Sequence, residues 1–203
     1  MNSISSEQSF SFSILSSEFI AQVYPCYSVT DAHHFQKMAR ELHPKANHHC
    51  LAYRIGAESV QEFASDDGEP GGTAGVPMLN VLKRKELTNC CAIVIRYFGG
   101  TKLGKKGLID AYRESIEKVL DLCTIKPIEK RIRFKLTYDY SQTNLIQKLF
   151  HSNSSLTIEK ESFEDTVQIQ ASLKSEYSID LIVRLESLEH HGIMLSDIEE
   201  YFS

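Results

Sequence analysis

The 203-residue chain predicts an α+β protein made of two domains. Three observations carry that expectation. Strand-like alternation and helical spacing interleave along the whole length, as in mixed layered folds. The dipeptide Lys126-Pro127 interrupts the pattern past the midpoint. Eight of the ten glycines fall in two stretches before that break, so nearly all of the backbone's permissiveness is gathered in one region. The expected domains are residues 1–127 and 128–203.

Residues 9–14 and 18–24 read as short strands. Thr30 is positioned to cap a helix over 31–42, because its hydroxyl can accept from an otherwise orphan N–H, and Pro44 ends that helix. Residues 50–55 are strand-like and lead into the first glycine stretch. Pro77 suits the first turn of a helix whose apolar positions are Met78, Leu79, Val81 and Leu82. Residues 90–98, Cys-Cys-Ala-Ile-Val-Ile-Arg-Tyr-Phe, form a continuous apolar run of the kind buried on both faces. After the second glycine stretch, Leu108, Ile109, Tyr112, Ile116, Val119 and Leu120 mark one face of a long helix. Beyond the break, a strand over 129–138 alternates Ile132, Phe134, Leu136 and Tyr138. A helix over 141–150, strands over 156–161 and 166–173, a helix over 177–188 and a last strand over 193–201 follow. That order, β-α-β-β-α-β, is the ferredoxin-like module.

Composition narrows the class. A 42% hydrophobic and 24% charged chain is that of an ordinary globular protein. No window approaches the roughly 20 continuous apolar residues of a membrane helix, and the first residues lack a basic start and an apolar run. The five cysteines are odd in number and include no C-x-x-C pair, which points to reduced thiols and a cytoplasmic location. The net charge of −5 is uneven. Residues 1–127 hold 14 Lys+Arg against 14 Asp+Glu, and residues 128–203 hold 8 against 13. Between Lys83 and Lys106, seven basic residues face only Glu86. Such a cluster attracts anions whatever the global charge, although a solvated lysine face is the ordinary alternative.

The glycine stretches are the natural place for a site. The first, Asp66-Asp67-Gly68-Glu69-Pro70-Gly71-Gly72-Thr73-Ala74-Gly75, is acidic. The second, Arg96-Tyr97-Phe98-Gly99-Gly100-Thr101-Lys102-Leu103-Gly104-Lys105-Lys106-Gly107, is basic. The two are expected to form complementary walls of one site. The second joins a buried strand to a helix, an arrangement that offers free N–H groups and the positive end of a helix dipole. Gly99 to Lys105 matches G-x-x-x-x-G-K, but Lys106 stands where a P-loop needs a Ser or Thr hydroxyl for magnesium. Asp66, Asp67 and Glu69 are open to three readings: a structural turn, a metal site, or a paired acid and base. Arg96 is the expected bidentate partner of one of them. Tyr97 and Phe98 offer stacking on an unpaired base, with Phe98 more naturally in the core. The histidines, including His48-His49 beside Cys50, lack the spacing of a zinc site, and no metal or cofactor is expected.

These residues carry a family resemblance. Ala46-Asn47-His48-His49-Cys50-Leu51-Ala52-Tyr53-Arg54-Ile55-Gly56, then Ser65 through Gly75, then Arg96 through Gly104, resemble the three signatures of the YigZ/IMPACT family, and the likeness runs over essentially the whole chain. The resemblance implies an N-terminal domain like the second domain of a small-subunit ribosomal protein superfamily. That domain is shared with elongation factor G domain IV and contains a left-handed βαβ unit. It also implies a C-terminal ferredoxin-like domain resembling domain V of that factor. Eukaryotic members are tied to control of translation under amino-acid starvation, through competition for an activator of the kinase that phosphorylates an initiation factor. This chain departs from the pattern at Asn47 and His49, which replace Thr and Asn, at Lys105-Lys106, which replace small residues, and at Asp110, where Arg is common.

Two functions follow as expectations. The first is a non-enzymatic binding protein of the translation apparatus, touching ribosome, RNA or a protein partner in translation control through Asp66, Asp67, Glu69, Arg96, Tyr97, Gly99, Gly100, Lys102, Gly104, Lys105 and Lys106. The alternative is a hydrolase or transferase on an anionic, phosphorylated small molecule. There Asp66, Asp67 and Glu69 would serve as acids, bases or ligands, with Arg96 and Lys102 as an anion clamp.

Overall fold

A computed structural model describes residues 1–202 and divides the chain into two compact units, Met1–Ile128 and Glu129 onward. The first unit runs β1 (Asn2–Ile4), β2 (Gln8–Ile14), β3 (Ser17–Pro25), α1 (Val29–Leu42), β4 (His48–Ile55), β5 (Gln61–Ser65), α2 (Gly75–Arg84), β6 (Cys90–Tyr97), α3 (Gly104–Leu120) and β7 (Ile125–Pro127). Five strands form an antiparallel sheet in the order β2-β3-β6-β4-β5, and β1 pairs with β7. Lys126-Pro127, read as a break, is therefore the strand that pairs with Ser3 and Asn2.

The central strand explains the layering. Cys91 through Ile95 of β6 are fully buried, because both faces of the sheet are covered. Cys90, Ala92 and Val94 face Met78, Val81 and Leu82 of α2 and Leu108, Tyr112 and Ile116 of α3. Cys91, Ile93 and Ile95 face Ala32 and Ala39 of α1. This placement settles a point of topology. β3 and β4 are both antiparallel to β6, hence parallel to each other, and α1 joins them across one face. β5 and β6 are likewise parallel, run the other way, and α2 joins them across the opposite face. Turning one crossover onto the other leaves their helices on opposite faces, so one of the two must be left-handed. Such crossovers are rare, since roughly 98% are right-handed.

Two local expectations need correction. The cap of α1 is Ser28, not Thr30. Ser28 has extended backbone and its hydroxyl accepts from the Asp31 N–H at 3.1 Å, while Thr30 lies inside the first turn. Phe98 is not core: it lies just beyond β6 and is 43% exposed.

The second unit contains β8 (Lys130–Tyr138), α4 (Thr143–His151), β9 (Thr157–Phe163), β10 (Val167–Lys174), α5 (Ser178–Glu186) and β11 (Ile193–Phe202). Its antiparallel sheet has the order β11-β8-β10-β9, the arrangement of a ferredoxin-like module. Phe134, Leu136, Val167, Ile169 and Leu173 pack against Ile146 and Phe150 of α4 and Leu181 and Leu185 of α5. The opposite face of the sheet is polar. There Arg133 bridges Glu159 and Glu199, and Lys135 pairs with Asp197.

Candidate functional site

The acidic stretch is a tight loop whose three carboxylates fan apart. Asp67 has φ 46° and Gly68 has φ 87°, so the chain reverses within two residues. The Asp66 carboxylate turns back into its own loop and accepts from the N–H groups of Gly72 (2.7 Å), Ala74 (2.9 Å) and Gly75 (2.9 Å). It thereby caps α2, whose N-terminal residues have no side-chain cap of their own. Burial disfavours its charge, but these three donors outweigh that and hold the carboxyl below the usual aspartate range. Asp67 points elsewhere: it accepts from the His49 N–H at 2.6 Å and pairs with Arg40 of α1.

Glu69 turns inward. Its Oε1 accepts from Arg96 Nη1 at 2.7 Å and from the Tyr112 hydroxyl at 2.7 Å, with His48 Nε2 at 3.8 Å. Arg96 is the expected partner of one of the acids, but the pair is single and not bidentate, since Tyr112 competes for the same oxygen. The Arg96 guanidinium lies over the rings of both Phe19 (5.3 Å) and Phe98 (5.4 Å), and its buried Nε has no acceptor. Burial pushes the Tyr112 hydroxyl far up, so it remains a donor at neutral pH. Cys50 donates its thiol to the Asp66 carbonyl at 3.1 Å, and burial likewise raises its pKa, which keeps it from acting as a thiolate.

The start of the basic stretch is held by two hydrogen bonds to neighbouring loops and strands. The Phe98 N–H donates to Asn47 Oδ1 at 2.8 Å and the Gly99 N–H to Ser17 Oγ at 3.1 Å. At Gly99 the loop runs against the β2–β3 turn so closely that an added Cβ would stand 2.0 Å from the Ser16 carbonyl oxygen. From there the chain enters α3 at Gly104. No side chain caps this helix, and its first turn holds no acid.

Sequence expectation and geometry meet only in part. Glu69, Arg96, Lys102, Gly104 and Lys105 line one cleft of 350 Å³, together with Pro70, Phe98, Leu103 and Leu108. Asp66, Asp67 and Lys106 do not line it, and Gly99 and Gly100 shape the loop beside it. Tyr97 leaves on the opposite face of the sheet, as alternation requires, and its hydroxyl shares a 2.9 Å hydrogen bond with His43. Sequence reasoning read Leu108 and Tyr112 only as the apolar face of a helix. Leu103 and Pro70 carry no signal of their own.

Charge in the cleft is simpler than the sequence suggests. Of the seven basic residues between Lys83 and Lys106, Lys83 pairs with Glu62, Arg84 with Glu117, Lys85 with Asp121 and Arg96 with Glu69. Lys102, Lys105 and Lys106 have no carboxylate partner among the described residues. They sit at the start of α3, the wrong end of a helix dipole for cations. Among the described residues, no group of three His, Cys, Asp or Glu side chains is arranged to hold a metal, and no helix is long and apolar enough to cross a membrane.

Comparison with known proteins places this architecture. Residues 15–120 match the family described as the Impact N-terminal domain. The IMPACT family member YigZ of Escherichia coli (strain K12) is 32% identical over 189 residues, 92% of each chain. An IMPACT family member of Haemophilus influenzae is 40% identical over 142 residues, 69% of each chain. A solved structure described as a hypothetical protein superposes with a TM-score of 0.68 at 30% identity, covering 98% of this chain and 97% of that one. The family match over residues 15–120 and the identity to YigZ along nearly the full length make this chain a member of the IMPACT family.

Proposed function

We propose that this protein is a non-enzymatic binding protein of the translation apparatus that holds RNA phosphates at the start of α3. The single observation that carries the reading is the juxtaposition there of an uncapped helix N-terminus and three lysines without carboxylate partners. Both features are unfavourable alone, and an anion relieves both. Phosphate contacts by such lysines supply salt-dependent affinity without a need for catalysis.

The commitments of the acids support binding over hydrolysis. Asp66 is saturated by backbone donors, Asp67 is paired with Arg40, and Glu69 is buried against Arg96 and Tyr112. Asp66 and Asp67 do not line the cleft, and Glu69, which does, spends its Oε1 on Arg96 and Tyr112. The second unit is a poorer candidate, since three of the four residues of its basic run are ion-paired: Lys130 with Glu200, Arg133 with Glu159 and Glu199, and Lys135 with Asp197. The fourth, Arg131, is hydrogen-bonded to Ser155, Thr157 and Ser172. The link to translation rests on the family resemblance. Co-sedimentation with ribosomes across a salt series tests the reading. Binding at low salt that is lost in the Lys102/Lys105/Lys106 triple alanine variant is expected. No binding at low salt, or binding indifferent to that variant, overturns it.

A further inference from the structure

We propose that the cleft beside α3 captures one unstacked base of single-stranded RNA, with the ring of Phe98 as the stacking platform and Lys102 and Lys105 on the adjoining phosphate. This rests on the RNA-binding reading above and specifies the form of RNA that the site takes. Phe98 is a large aromatic left 43% exposed, yet it is not loosely held. Its backbone is tied to Asn47, its neighbour Gly99 is tied to Ser17, and the Arg96 guanidinium lies 5.4 Å from its ring centre. Arg96 is itself pinned by Glu69 in the interior. A ring presented this rigidly loses little conformational entropy when a flat partner stacks on it.

Of the remaining walls, Pro70, Leu103 and Leu108 offer apolar contact, while Glu69 and Arg96 are engaged with each other. At 350 Å³ the cleft is near the lower end of ligand sites, roughly 300–1,000 Å³, which suits one nucleotide better than a stacked run. The charge at its rim decides the kind of flat ligand. Lys102 and Lys105 are unpaired, while Glu69 is occupied inside, so the mouth favours a base that carries phosphate. Bases in an A-form duplex are stacked and paired, and cannot enter. Every base has a π-face, so the capture is tolerant of sequence.

Fluorescence anisotropy of the full chain with labelled oligouridine and with a matched RNA duplex, over a salt series, tests this. Phe98→Ala is expected to weaken single-strand binding roughly five- to 150-fold while leaving the salt slope unchanged, and Phe98→Tyr is expected to restore it. The Lys102→Ala/Lys105→Ala variant is expected to lower the slope by about 1.4. Phe98 is exposed, so its variants should fold, which a circular dichroism melt verifies. If the lysine variant weakens binding but Phe98→Ala binds within twofold of the parent, phosphate contact stands and base capture fails. Equal affinity for duplex and single strand also overturns base capture. If the parent protein binds neither RNA at low salt, the RNA reading itself fails.

Discussion

Removing the Glu69 side chain should be among the most destabilising single changes available in the first unit. Glu69 and Arg96 have side chains only 3% and 5% exposed, so the pair is largely shielded from water although it borders the cleft. Glu69→Ala leaves a buried guanidinium with no counter-charge, and its Nε already lacks an acceptor. Breaking a buried pair from one side costs about 3–5 kcal/mol. The Tyr112 hydroxyl loses its acceptor as well, worth about 1–3 kcal/mol for a buried donor. Both partners use the same Oε1, so the two costs are not independent, and about 5 kcal/mol is the expected total. Native-state hydrogen exchange followed by mass spectrometry measures it. Protected amides of β6 and α3 should exchange roughly 4,000-fold faster. Because domain stabilities are typically about 5–15 kcal/mol, a loss of this size is a large fraction of the total, and two further variants test the same pair at lower cost. Glu69→Gln keeps an acceptor and should cost much less. The Glu69→Leu/Arg96→Met double variant removes both charges and should recover most of the loss. Acceleration of β6 exchange below tenfold in Glu69→Ala would refute the reasoning, because it would mean the arginine finds water or another partner at once.

Three further outcomes are expected. Gly99→Ala should destabilise the loop by about 2 kcal/mol or more, because the new Cβ meets the Ser16 carbonyl oxygen at 2.0 Å; wild-type exchange rates in β3 and β6 would contradict this. An NMR titration of the Asp66 carboxyl should give a midpoint below its ordinary 3.8. Its contribution is complete above 3.8 and lost as pH falls through the lower folded value, so protection of the first α2 amides should fade in acid, and a midpoint at or above 3.8 is the contrary result. Glu159 is held at about 2 despite partial burial, through hydrogen bonds from Arg133, Ser172 and Tyr201 and the Arg133 charge. Its stabilisation of the second unit is present above its ordinary 4.5 and is lost as pH falls toward 2, and Arg133→Ala should remove that acid sensitivity from a pH-dependent melt.

Where burial is two-sided or alternation is regular, the sequence was legible. β6 declares itself by an unbroken apolar run, and the second unit by β8 and β10, whose buried apolar residues alternate, and by the apolar faces of α4 and α5. β1, β5 and β7 were missed because they lie at edges or pair in short isolated stretches. β5, Gln-Glu-Phe-Ala-Ser, buries neither face fully, so no alternation marks it. The site was harder to read for a related reason. Spacing along the chain shows that Asp66, Asp67 and Glu69 are close, but not where each carboxylate points. Positive φ at Asp67 and Gly68 sends the first back onto α2, the second toward α1 and the third inside. Tyr97 was lost from the site by the plainest rule of strands, since its neighbour Arg96 already occupied the cleft side of β6.

The departures of this chain from the family signature can be weighed on the same electrostatic scale. Asp110 stands where arginine is common, and an acid near a helix N-terminus could in principle neutralise the lysines there. It does not, because its carboxylate is engaged one turn onward by Arg113 at 3.1 Å. Lys105 and Lys106 therefore add charge to a helix start that has neither a cap nor an acid to offset it. Each cation so placed costs about 0.3–1 kcal/mol at low ionic strength, so with Lys102 the loop carries a penalty of roughly 1–3 kcal/mol in the free protein. Nothing in the packing of α3 requires these lysines, since the buried face of the helix begins at Leu108. A cost borne at the surface without a structural return is what a site poised for a polyanion would show. Its release on binding would then add to the affinity as the lysines meet phosphate.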